Sequence, residues 1–419
     1  MKDLKIFTNN IEQTAKEQIE LLLEQEAFKD CKVRIMPDVH AGSGCVIGFT
    51  GDLGDKVIPE IVGVDIGCGI LCVNLHNIDL DLVKLDKVIN EYIPAGMNVH
   101  EEGYNEMSFD ELICYKELKN KDGWLERSCG TLGGGNHFIE IDKDDENNKY
   151  LVIHTGSRNL GKQVCEIYQE KAIKYCSYEK EMKAEKEQII KEYKEQGRER
   201  EIQEKLVEIN EKYKDKTKLP KDLCYLEGED REDYLHDMKI CQEFAILNRV
   251  CIAMRIFEEY FDYHFVSDIN EGIIKNICLE GCEPKYEFSF FESVHNYINF
   301  NDNIIRKGAI SARLYEKVII PMNMRDGCII GVGKGNEDWN YSAPHGAGRT
   351  MSRNMAREKL NIEEFKNSMN GIYTTSVNNN TIDEAPMVYK PMQEIINNIK
   401  DTVEVKKIIK PIYNFKASD

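Results

Sequence analysis

The chain has 419 residues, of which 42% are hydrophobic and 31% are charged, as in soluble globular proteins of roughly one to three domains. Its formal net charge of −19 argues against a protein that coats nucleic acid non-specifically, although an enzyme with a local basic groove remains compatible with it. No apolar run reaches the ~20 residues needed to cross a bilayer, and the N-terminus lacks the apolar stretch of a secretory signal, so we expect a cytoplasmic protein.

The predicted elements of the N-terminal third are a helix and several short strands. Residues 1–30 predict a short strand followed by an amphipathic helix, because apolar residues recur there at helical spacing. From residue 33 to residue 73, the runs VIGFT, KVIPEIVGVDIG and ILCVNL are separated by glycines and predict strands and tight turns. A second glycine-rich block covers residues 130–161, in which LVIHTGS predicts a strand that continues into a loop.

The segment 165–218 differs from the rest of the chain because it is crowded with Glu and Lys and contains no proline. Apolar residues recur at helical spacing near its end, and Gly197 interrupts it at a position typical of a turn. We therefore predict an inserted antiparallel helical hairpin. A solvated helix pair rich in ion pairs and a contact arm for RNA or a protein partner both agree with this composition.

After Pro220 the chain returns to a globular composition. The run AILNRVCIAMRIFEEYF predicts a buried helix, and a third polar, glycine-rich region covers residues 295–353. A helix and the strand-like run IIKPIYNFK close the chain. Because the glycine-rich blocks are scattered and no tandem repeat occurs, we predict a single interwoven α+β domain over residues 1–419 rather than a series of modules.

Asp65 and Cys68 lie three residues apart in a glycine-flanked turn, where a carboxylate and a thiolate can face the same ion. Together with imidazole, these groups suit Zn²⁺, Mn²⁺ or Fe²⁺. When the pair is taken alone, a structural interpretation with an N-capping Asp and a buried Cys is favoured over a metal site, because spacing this short is common by chance. The other cysteines predict reduced, mostly buried thiols, because no CxxC pair and no export signal occur.

Four of the nine histidines lie beside glycine, asparagine or serine rather than within apolar runs. They are His137 in GGGNHFIE, His154 in IHTGSRNLG, His295 in ESVHNY and His345 in SAPHGAGR. The run MPDVHAGSG adds Asp38 and His40. A single loop histidine is usually structural, but four such loops together with Asp-x-x-Cys favour a metal centre.

His345 differs from the other three because small residues flank it on both sides and Arg349 follows four positions later. An accessible imidazole next to a guanidinium suits a nucleophile that attacks phosphorus, with the arginine and backbone N–H groups stabilising the phosphoryl oxygens. A loop histidine with a structural arginine is the alternative. The run GVGKGN at residues 331–336 is not a phosphate-binding P-loop, because the Walker A spacing is missing.

Seven motifs occur in an order and spacing that resemble the RtcB family of RNA ligases. They are MPDVHAGSGCVIG, VGVDIGCG, GTLGGGNHFIE, HTGSRNLG, ESVHNY, SAPHGAGR and DEAPMVYK. The resemblance runs from about residue 34 to the end of the chain, interrupted by the helical hairpin. It implies an RtcB-like α+β fold with mixed β-sheets around a metal cleft.

The resemblance implies two Mn²⁺ ions bridged by Cys68, with Asp65, His137, His154 and His295 completing the ligand set. It also implies that His345 attacks GTP and carries GMP as a phosphoramidate. Asn136 and Arg158 match positions near the phosphates, and Glu140 matches a residue that contacts guanine. The implied nucleotide-binding set is Asn136, Glu140, Arg158, Asn323, His345, Gly346, Ala347, Gly348, Arg349, Tyr389 and Lys416.

The implied reaction transfers GMP to an RNA 3′-phosphate, after which an attacking 5′-hydroxyl expels GMP and seals the strand. A terminal 2′,3′-cyclic phosphate would first be hydrolysed at the same metal site. The expected partner is therefore RNA with such ends, in RNA repair or tRNA splicing. We expect no association with a membrane. The resemblance also raises an archease-type activator as a protein partner.

Three features depart from the family pattern. Ser43 replaces a lysine that many members carry, which removes one phosphate contact. The segment 321–325 reads PMNMR where the family usually has PGSMG, so the nucleotide preference is less constrained than the metal site. The chain also ends in FKASD, beyond the usual terminal lysine and glycine.

Two other functions compete with ligation. A metal-dependent phosphohydrolase or cyclic phosphodiesterase that has lost ligation is kept open by the altered segment 321–325. A non-catalytic RNA-binding relative is disfavoured, because binding alone does not require a full set of metal ligands and a nucleophile. Formation of a guanylated intermediate separates the ligase from the phosphohydrolase.

Overall fold

Strands and helices alternate along the described residues, 3–103, 109–119, 123–214, 216–278 and 282–417, in the computed structural model. The predicted mixed α+β fold is confirmed. Ser418 and Asp419, the last residues of the FKASD end, lie outside the described residues. None of the described helices combines the length and the apolarity needed to span a membrane.

The strands are β1 Leu4–Ile6, β2 Val33–His40, β3 Ile47–Asp52, β4 Lys56–Val57, β5 Gly69–His76, β6 Phe138–Lys143, β7 Lys149–Thr155, β8 Leu226–Glu227, β9 Phe265–Asp268, β10 Ile273–Asn276, β11 Glu287–Val294, β12 Asn296–Asn299, β13 Ile304–Lys307, β14 Ala309–Ser311, β15 Lys317–Asn323, β16 Gly327–Gly333, β17 Ser342–Pro344, β18 Tyr373–Thr374 and β19 Val403–Lys416. The α-helices are α1 Gln13–Leu23, α2 Pro59–Val62, α3 Leu82–Tyr92, α4 Trp124–Arg127, α5 Arg158–Tyr175, α6 Glu179–Glu195, α7 Ile202–Tyr213, α8 Gly228–Phe261, α9 Arg353–Lys359, α10 Ile362–Ser368 and α11 Met392–Asn398.

A ten-stranded sheet forms the centre of the molecule, with the strand order β15-β16-β19-β6-β7-β5-β11-β10-β9 and with β18 paired to β19. Every residue of β7 is buried, as expected for a strand covered on both faces. The C-terminal strand β19 lies between β16 and β6, so the end of the chain is part of the interior of this sheet.

The pairing of four neighbouring strands brings their ends together at one edge of this sheet. Gly69 at the start of β5 pairs with Thr155 at the end of β7, and Phe138 at the start of β6 pairs with His154. Gly69 also pairs with Val294 at the end of β11. The loops before β5 and β6 and after β11 therefore meet at the same place.

A second, five-stranded sheet has the order β1-β2-β3-β13-β12 and packs with α1 over a large apolar core. Strand β2 carries Asp38, and the pair β14–β17 leads directly to His345, with Ala309 opposite Pro344. The active-site candidates thus lie between the two sheets.

The buried helix predicted from AILNRVCIAMRIFEEYF is confirmed as part of α8, which has 34 residues. The strand prediction for KVIPEIVGVDIG was wrong at its centre, where Pro59 begins the one-turn helix α2. Proline is favourable in the first turn of a helix, because its missing N–H has no partner there and its φ angle is already helical. All fourteen cysteines are free thiols, and most are buried, as predicted.

Within the segment 165–218, the structure contains the end of α5 and then α6 and α7, which pack against each other. Gly197, with a φ of +69°, lies in the turn between these two helices, as its position in the sequence indicated. That this segment is an insertion into a single domain remains a prediction.

Candidate active site

The five predicted metal ligands converge at the edge of the ten-stranded sheet. The thiol Sγ of Cys68 lies 3.2 Å from His154 Nε2 and 3.6 Å from His137 Nε2. The Nε2 atoms of His154 and His295 are 3.3 Å apart, and Asp65 Oδ2 lies 3.0 Å from His137 Nε2. Several thiol, imidazole and carboxylate groups this close together are the arrangement expected of ligands around a cation.

Backbone carbonyls orient two of the three histidine rings, those of His137 and His154. His137 Nδ1 is 2.9 Å from the carbonyl oxygen of Leu132, and His154 Nδ1 is 3.2 Å from that of Asn136. An Nδ1–H that donates to a carbonyl leaves the Nε2 lone pair free, which is how metal-ligating histidines are usually held. Both Nε2 atoms face Cys68.

The electrostatics of this cluster also suit a cation. Burial lowers the pKa of both His154 and His295 well below its ordinary value, so the imidazoles are neutral ligands. Burial opposes ionisation of Asp65, but the nearby His137 lowers its pKa to about 2, so it carries a negative charge. Burial and the charge of Asp65 raise the pKa of the Cys68 thiol, which a divalent ion would have to deprotonate. The donor set therefore fits a divalent metal such as Mn²⁺, Zn²⁺ or Fe²⁺.

Helix α8 holds the loops that carry these ligands. Asn248 Oδ1 accepts hydrogen bonds from the backbone N–H groups of Gly130 and Thr131, at 2.8 and 3.0 Å. The guanidinium of Arg249 donates to the carbonyl oxygens of Gly67 and Thr155, at 2.8 and 2.9 Å. Both side chains are fully buried, so α8 fixes the ligand loops as one rigid unit.

His345 lies beside the metal ligands, with its ring centroid 4.8 Å from that of His295. Its Nδ1 is 2.6 Å from Asp38 Oδ2, and the same oxygen accepts the backbone N–H groups of His345 and Gly346, at 3.1 and 3.3 Å. Asp38 is fully buried. Because its carboxylate holds the proton on Nδ1, the Nε2 lone pair of His345 is free to act as a nucleophile.

Gly348 is required for this arrangement, because its φ is +75° and a Cβ there would lie 2.3 Å from the Asp38 carbonyl oxygen. A second contact holds the PHGAGR loop, because the backbone N–H of Lys390 donates to the carbonyl oxygen of Gly348 at 3.0 Å. The glycines of PHGAGR thus let the backbone pass close to Asp38.

A cavity of about 650 Å³ opens next to His345, a volume suited to a nucleotide. The predicted site residues that line it are Asn136, Glu140, His154, Asn323, His295, His345, Gly346, Ala347, Gly348, Arg349, Tyr389 and Lys416. The structure therefore brings together most of the predicted nucleotide-binding residues and two of the predicted metal ligands.

Arg158 does not line the described part of this cavity. Its guanidinium donates to Thr131 Oγ1 at 3.1 Å and to the carbonyl oxygen of Gly96 at 3.0 Å. Burial lowers its pKa, and the negative charge of Asp65 opposes that change. Arg158 is thus a partly buried cation beside the metal ligands.

Glu384, in the DEAPMVYK motif, is a residue that sequence reasoning did not single out. Its Oε2 accepts hydrogen bonds from Lys416 Nζ and from the hydroxyl of Tyr389, both at 2.6 Å. Its Oε1 forms ion pairs with Arg349 at 3.2 Å and Arg353 at 2.9 Å. Burial opposes ionisation of Glu384, but Lys416 and the arginines lower its pKa to about 2. These cations leave an excess of positive charge on the wall of the cavity, which suits phosphate oxygens.

The floor of the cavity is one face of the ten-stranded sheet. Glu140 on β6 pairs with Asn414 on β19, and Phe138 pairs with Lys416, so their side chains emerge on the same side. Cys328 Sγ lies 3.4 Å from Glu140 Oε1. Side chains of a strand alternate between its two faces, so the sequence of β6 indicates that Phe138 and Glu140 share one face. The local sequence does not indicate that β6 pairs with β19.

Glu140 also belongs to a second cluster of possible ligand atoms, together with Asp142 and Cys328, which do not line the described part of the cavity. Burial raises the pKa of Glu140 to about 7, and burial together with the charge of Glu140 raises that of Asp142. Asp142 therefore retains, at neutral pH, a proton that ordinary carboxyl groups lose.

Two of the three departures from the family pattern lie within the described residues in full, and the structure shows their contacts. Ser43 donates to Glu60 Oε1 at 2.7 Å and does not line the described part of the cavity. Asn323 lines it, but its side chain is engaged in its own turn, since Oδ1 accepts the N–H groups of Arg325 and Asp326 and Nδ2 donates to Asp326.

Comparison with known proteins gives a family match over nearly the whole chain. A family model described as tRNA-splicing ligase RtcB matches residues 25–120 and 115–417. The protein named RNA-splicing ligase RtcB1 from Escherichia coli strain ATCC 25922 is 29% identical over 404 residues, which cover 89% of this chain and 87% of the relative.

Two further relatives give similar results. The RNA-splicing ligase RtcB of Escherichia coli strain K12 is 28% identical over 402 residues, with 89% of this chain and 87% of the relative covered. The tRNA-splicing ligase RtcB of Nanoarchaeum equitans is 26% identical over 463 residues, with 90% and 85% covered.

Proposed function

The chain belongs to the RtcB family, and we propose that it is a GTP- and Mn²⁺-dependent RNA ligase that acts in RNA repair or tRNA splicing. Membership confirms the resemblance predicted from the seven motifs. The ligase activity is supported by relatives named RNA-splicing and tRNA-splicing ligases that align over most of this chain. The proposed substrates are an RNA 3′-phosphate or 2′,3′-cyclic phosphate end and a 5′-hydroxyl end.

The observation that carries the proposal is the position of His345 between a metal-ligand cluster and a nucleotide-sized cavity. Its ring lies next to that of His295, while its Nδ1 is held by Asp38. The same imidazole lines the cavity. A nucleophile, a cation site and a phosphate-binding wall in contact are the parts that nucleotidyl transfer requires.

We assign the metal ligands to two groups that share Cys68. Asp65 lies next to His137, and His295 lies next to His154, while the thiol of Cys68 is close to both His137 and His154. Asp65, Cys68, His137, His154 and His295 would hold the two proposed Mn²⁺ ions, with Cys68 close to both groups of ligands. When bound, the metal would supply Lewis-acid stabilisation of phosphate charge.

In the first step, the Nε2 lone pair of His345 attacks the α-phosphorus of GTP, and the bond to the β-phosphate oxygen breaks to release pyrophosphate. The proton on Nδ1 stays hydrogen-bonded to Asp38, whose negative charge stabilises the charged imidazole of the phosphoramidate. Arg349 and Lys416 line the cavity and would hold the phosphates, while Glu140 on its floor would contact the guanine.

In the later steps, an oxygen of the RNA 3′-phosphate attacks the GMP phosphorus and the lone pair returns to Nε2 of His345. The 5′-hydroxyl of the second strand then attacks the activated 3′-phosphate, loses its proton and expels GMP. A cyclic phosphate end is opened by water before this sequence begins. We further propose a cytoplasmic location and an archease-type activator as a partner.

The proposal is tested by incubating the protein with Mn²⁺ and GTP labelled at the α-phosphate, followed by denaturing electrophoresis. We expect a labelled, acid-labile adduct in the unmodified protein, and no adduct in His345→Ala, which should still bind Mn²⁺. His264→Ala serves as the control, since the side chain of His264 is 91% exposed.

An acid-labile adduct on His345→Ala would show that another residue is the nucleophile. The phosphohydrolase is the second candidate function, favoured because the side chain of Asn323, although it lines the cavity, already forms hydrogen bonds within its own turn. No adduct with GTP or ATP, in a protein with a full metal site that hydrolyses cyclic phosphates, would replace the ligase by that enzyme.

A further inference from the structure

One side chain on the floor of the cavity has an oxygen without a hydrogen-bond donor. Asn414 is 1% exposed and lines the cavity. Its Nδ2 donates to Glu140 Oε2 at 2.9 Å, whereas its Oδ1 has no donor among the described residues. A buried polar atom without a partner is unfavourable, so such an atom beside a binding cavity indicates that a ligand supplies the partner.

The orientation of this amide is determined by its neighbour. If the amide of Asn414 were turned over, its oxygen would face the Glu140 carboxylate, and two acceptors would lie in contact. Nδ2 therefore faces Glu140, and the unpaired atom is an acceptor. Oδ1 of Asn414 therefore lacks a donor, which must be an N–H or O–H group of another molecule or residue.

The rest of the floor is also rich in acceptors. Glu140, which lines the cavity next to Asn414, presents two carboxylate oxygens, and both are acceptors. Such a floor complements a base edge with adjacent N–H donors. Guanine has this edge, with its ring N1–H next to its 2-amino group, whereas adenine presents one amino group next to an acceptor nitrogen.

We propose that Asn414 is a specificity-determining residue for guanine, whose 2-amino group donates an N–H to Asn414 Oδ1 while Glu140 accepts the N1–H. This inference rests on the proposed function for the presence of a purine nucleotide in the cavity. It assigns Asn414 two contacts with separate effects, since Nδ2 orients Glu140 and Oδ1 reads the base.

The test compares two nucleotides that differ only in the proposed contact. Inosine monophosphate has the N1–H of guanosine monophosphate but lacks the 2-amino group. We expect the unmodified protein to bind guanosine monophosphate about tenfold more tightly than inosine monophosphate in calorimetric titrations, the value of one hydrogen bond at the upper end of the usual range. In Asn414→Leu this preference should fall to about one.

The ratio of the two affinities measures the contact of Asn414 Oδ1 with the 2-amino group separately from the effect of Asn414 on the position of Glu140. Both nucleotides carry N1–H, so a displaced Glu140 weakens them equally and leaves the ratio unchanged. Asn414→Ala is the second variant and should lose the preference as well if the leucine variant does not fold. Asn276→Ala is the matched control, because Asn276 is also buried in the ten-stranded sheet but lies in β10.

A preference that persists in the Asn414 variants would overturn the inference, and so would equal binding of both nucleotides to the unmodified protein. The labelling experiment with GTP is independent of this result. A protein that prefers guanosine monophosphate but forms no adduct would refute the ligase and support the role of Asn414. A protein that forms the adduct but does not prefer guanosine monophosphate would support the ligase and refute the role of Asn414.

Discussion

At the scale of single residues, the bond between Asp38 and His345 prepares the proposed nucleophile. Asp38→Asn keeps the size of the side chain but removes the charge that stabilises the imidazole when Nε2 forms its bond to phosphorus. We expect the rate of adduct formation to fall by about a hundredfold or more, with Mn²⁺ content unchanged. Single-turnover labelling with GTP and elemental analysis would measure the two quantities.

The control for this prediction is Asp401→Asn, since Asp401 is exposed. A rate for Asp38→Asn that matches the rate for this control would show that His345 does not depend on the carboxylate. Loss of Mn²⁺ from the variant would instead mean that Asp38 supports the metal site.

Asp142 predicts a dependence of stability on pH. Burial and the charge of Glu140 raise the pKa of Asp142, so the folded protein keeps a proton that the unfolded chain loses above about pH 4. Its contribution to stability is therefore lost as the pH rises towards the raised pKa. Asp142→Asn removes this loss, because asparagine does not ionise. The unfolding temperature of the variant relative to that of the unmodified protein should therefore be higher at pH 8 than at pH 5.

Thermal unfolding of both proteins at the two pH values would test this. The same difference in unfolding temperature at pH 5 and pH 8 would contradict the raised pKa. Asp145→Asn is a suitable control, because Asp145 is exposed in the turn that follows β6.

At the scale of elements, the sheet edge formed by β5, β6, β7 and β11 gathers the metal ligands, and α6 and α7 lie outside this arrangement. No residue of α6 is buried, and in α7 Ile209 is the buried residue. Ion pairs such as that of Lys212 with Glu185 connect the two helices. This pattern agrees with a solvated helix pair, whose ion pairs each contribute little to stability.

We therefore predict that replacing residues 179–213 with a short glycine-serine linker leaves adduct formation and Mn²⁺ content unchanged. The ends of the segment are already close, since Lys218 N–H donates to the Cys176 carbonyl at 2.9 Å. Labelling with GTP and elemental analysis would be compared with the unmodified protein.

If the shortened protein bound Mn²⁺ but formed no adduct, the hairpin would be part of the guanylation machinery. If it formed the adduct but no longer joined RNA ends, the hairpin would be a contact arm for RNA. Either result would replace the interpretation as a solvated helix pair.

At the scale of the whole molecule, a metal would connect loops from distant parts of the chain and so stabilise the fold. Asp65 and His295 lie 230 positions apart in the sequence, yet both belong to one ligand cluster. A metal that binds the folded state alone stabilises it by about 2.7 kcal/mol at a hundredfold excess over its dissociation constant.

Removal of metal by a chelator should therefore lower the unfolding temperature of the unmodified protein, and added Mn²⁺ should restore it. In Cys68→Ala, which removes the thiol shared by both groups of ligands, we expect no response to either treatment and no adduct. Scanning calorimetry with measured Mn²⁺ content would check this. A variant that still responded fully to Mn²⁺ would show that Cys68 is not a ligand.

The sequence by itself was sufficient to identify the family, because DIGCG, GGGNHFIE and PHGAGR are contiguous motifs that can be read without the fold. It also identified the metal-ligand candidates, since His137, His154 and His295 lie beside glycine, asparagine or serine rather than in apolar runs. The buried helix α8 was predicted from its local pattern of apolar residues.

The tertiary structure alone decided which side chains meet across the sheets. Asp38 and His345 are 307 positions apart, and Glu140 and Asn414 are 274 apart, so no local pattern connects either pair. Their contacts depend on the pairing of β6 with β19 and on the position of β2 next to the loop after β17. Strand register is a property of the whole folded chain, which is why Asn414 could be recognised as a candidate site residue only from the structure. Glu384 lies in the short helical segment Asn379–Glu384, and only the packing of this segment against the end of β19 brings it to Lys416.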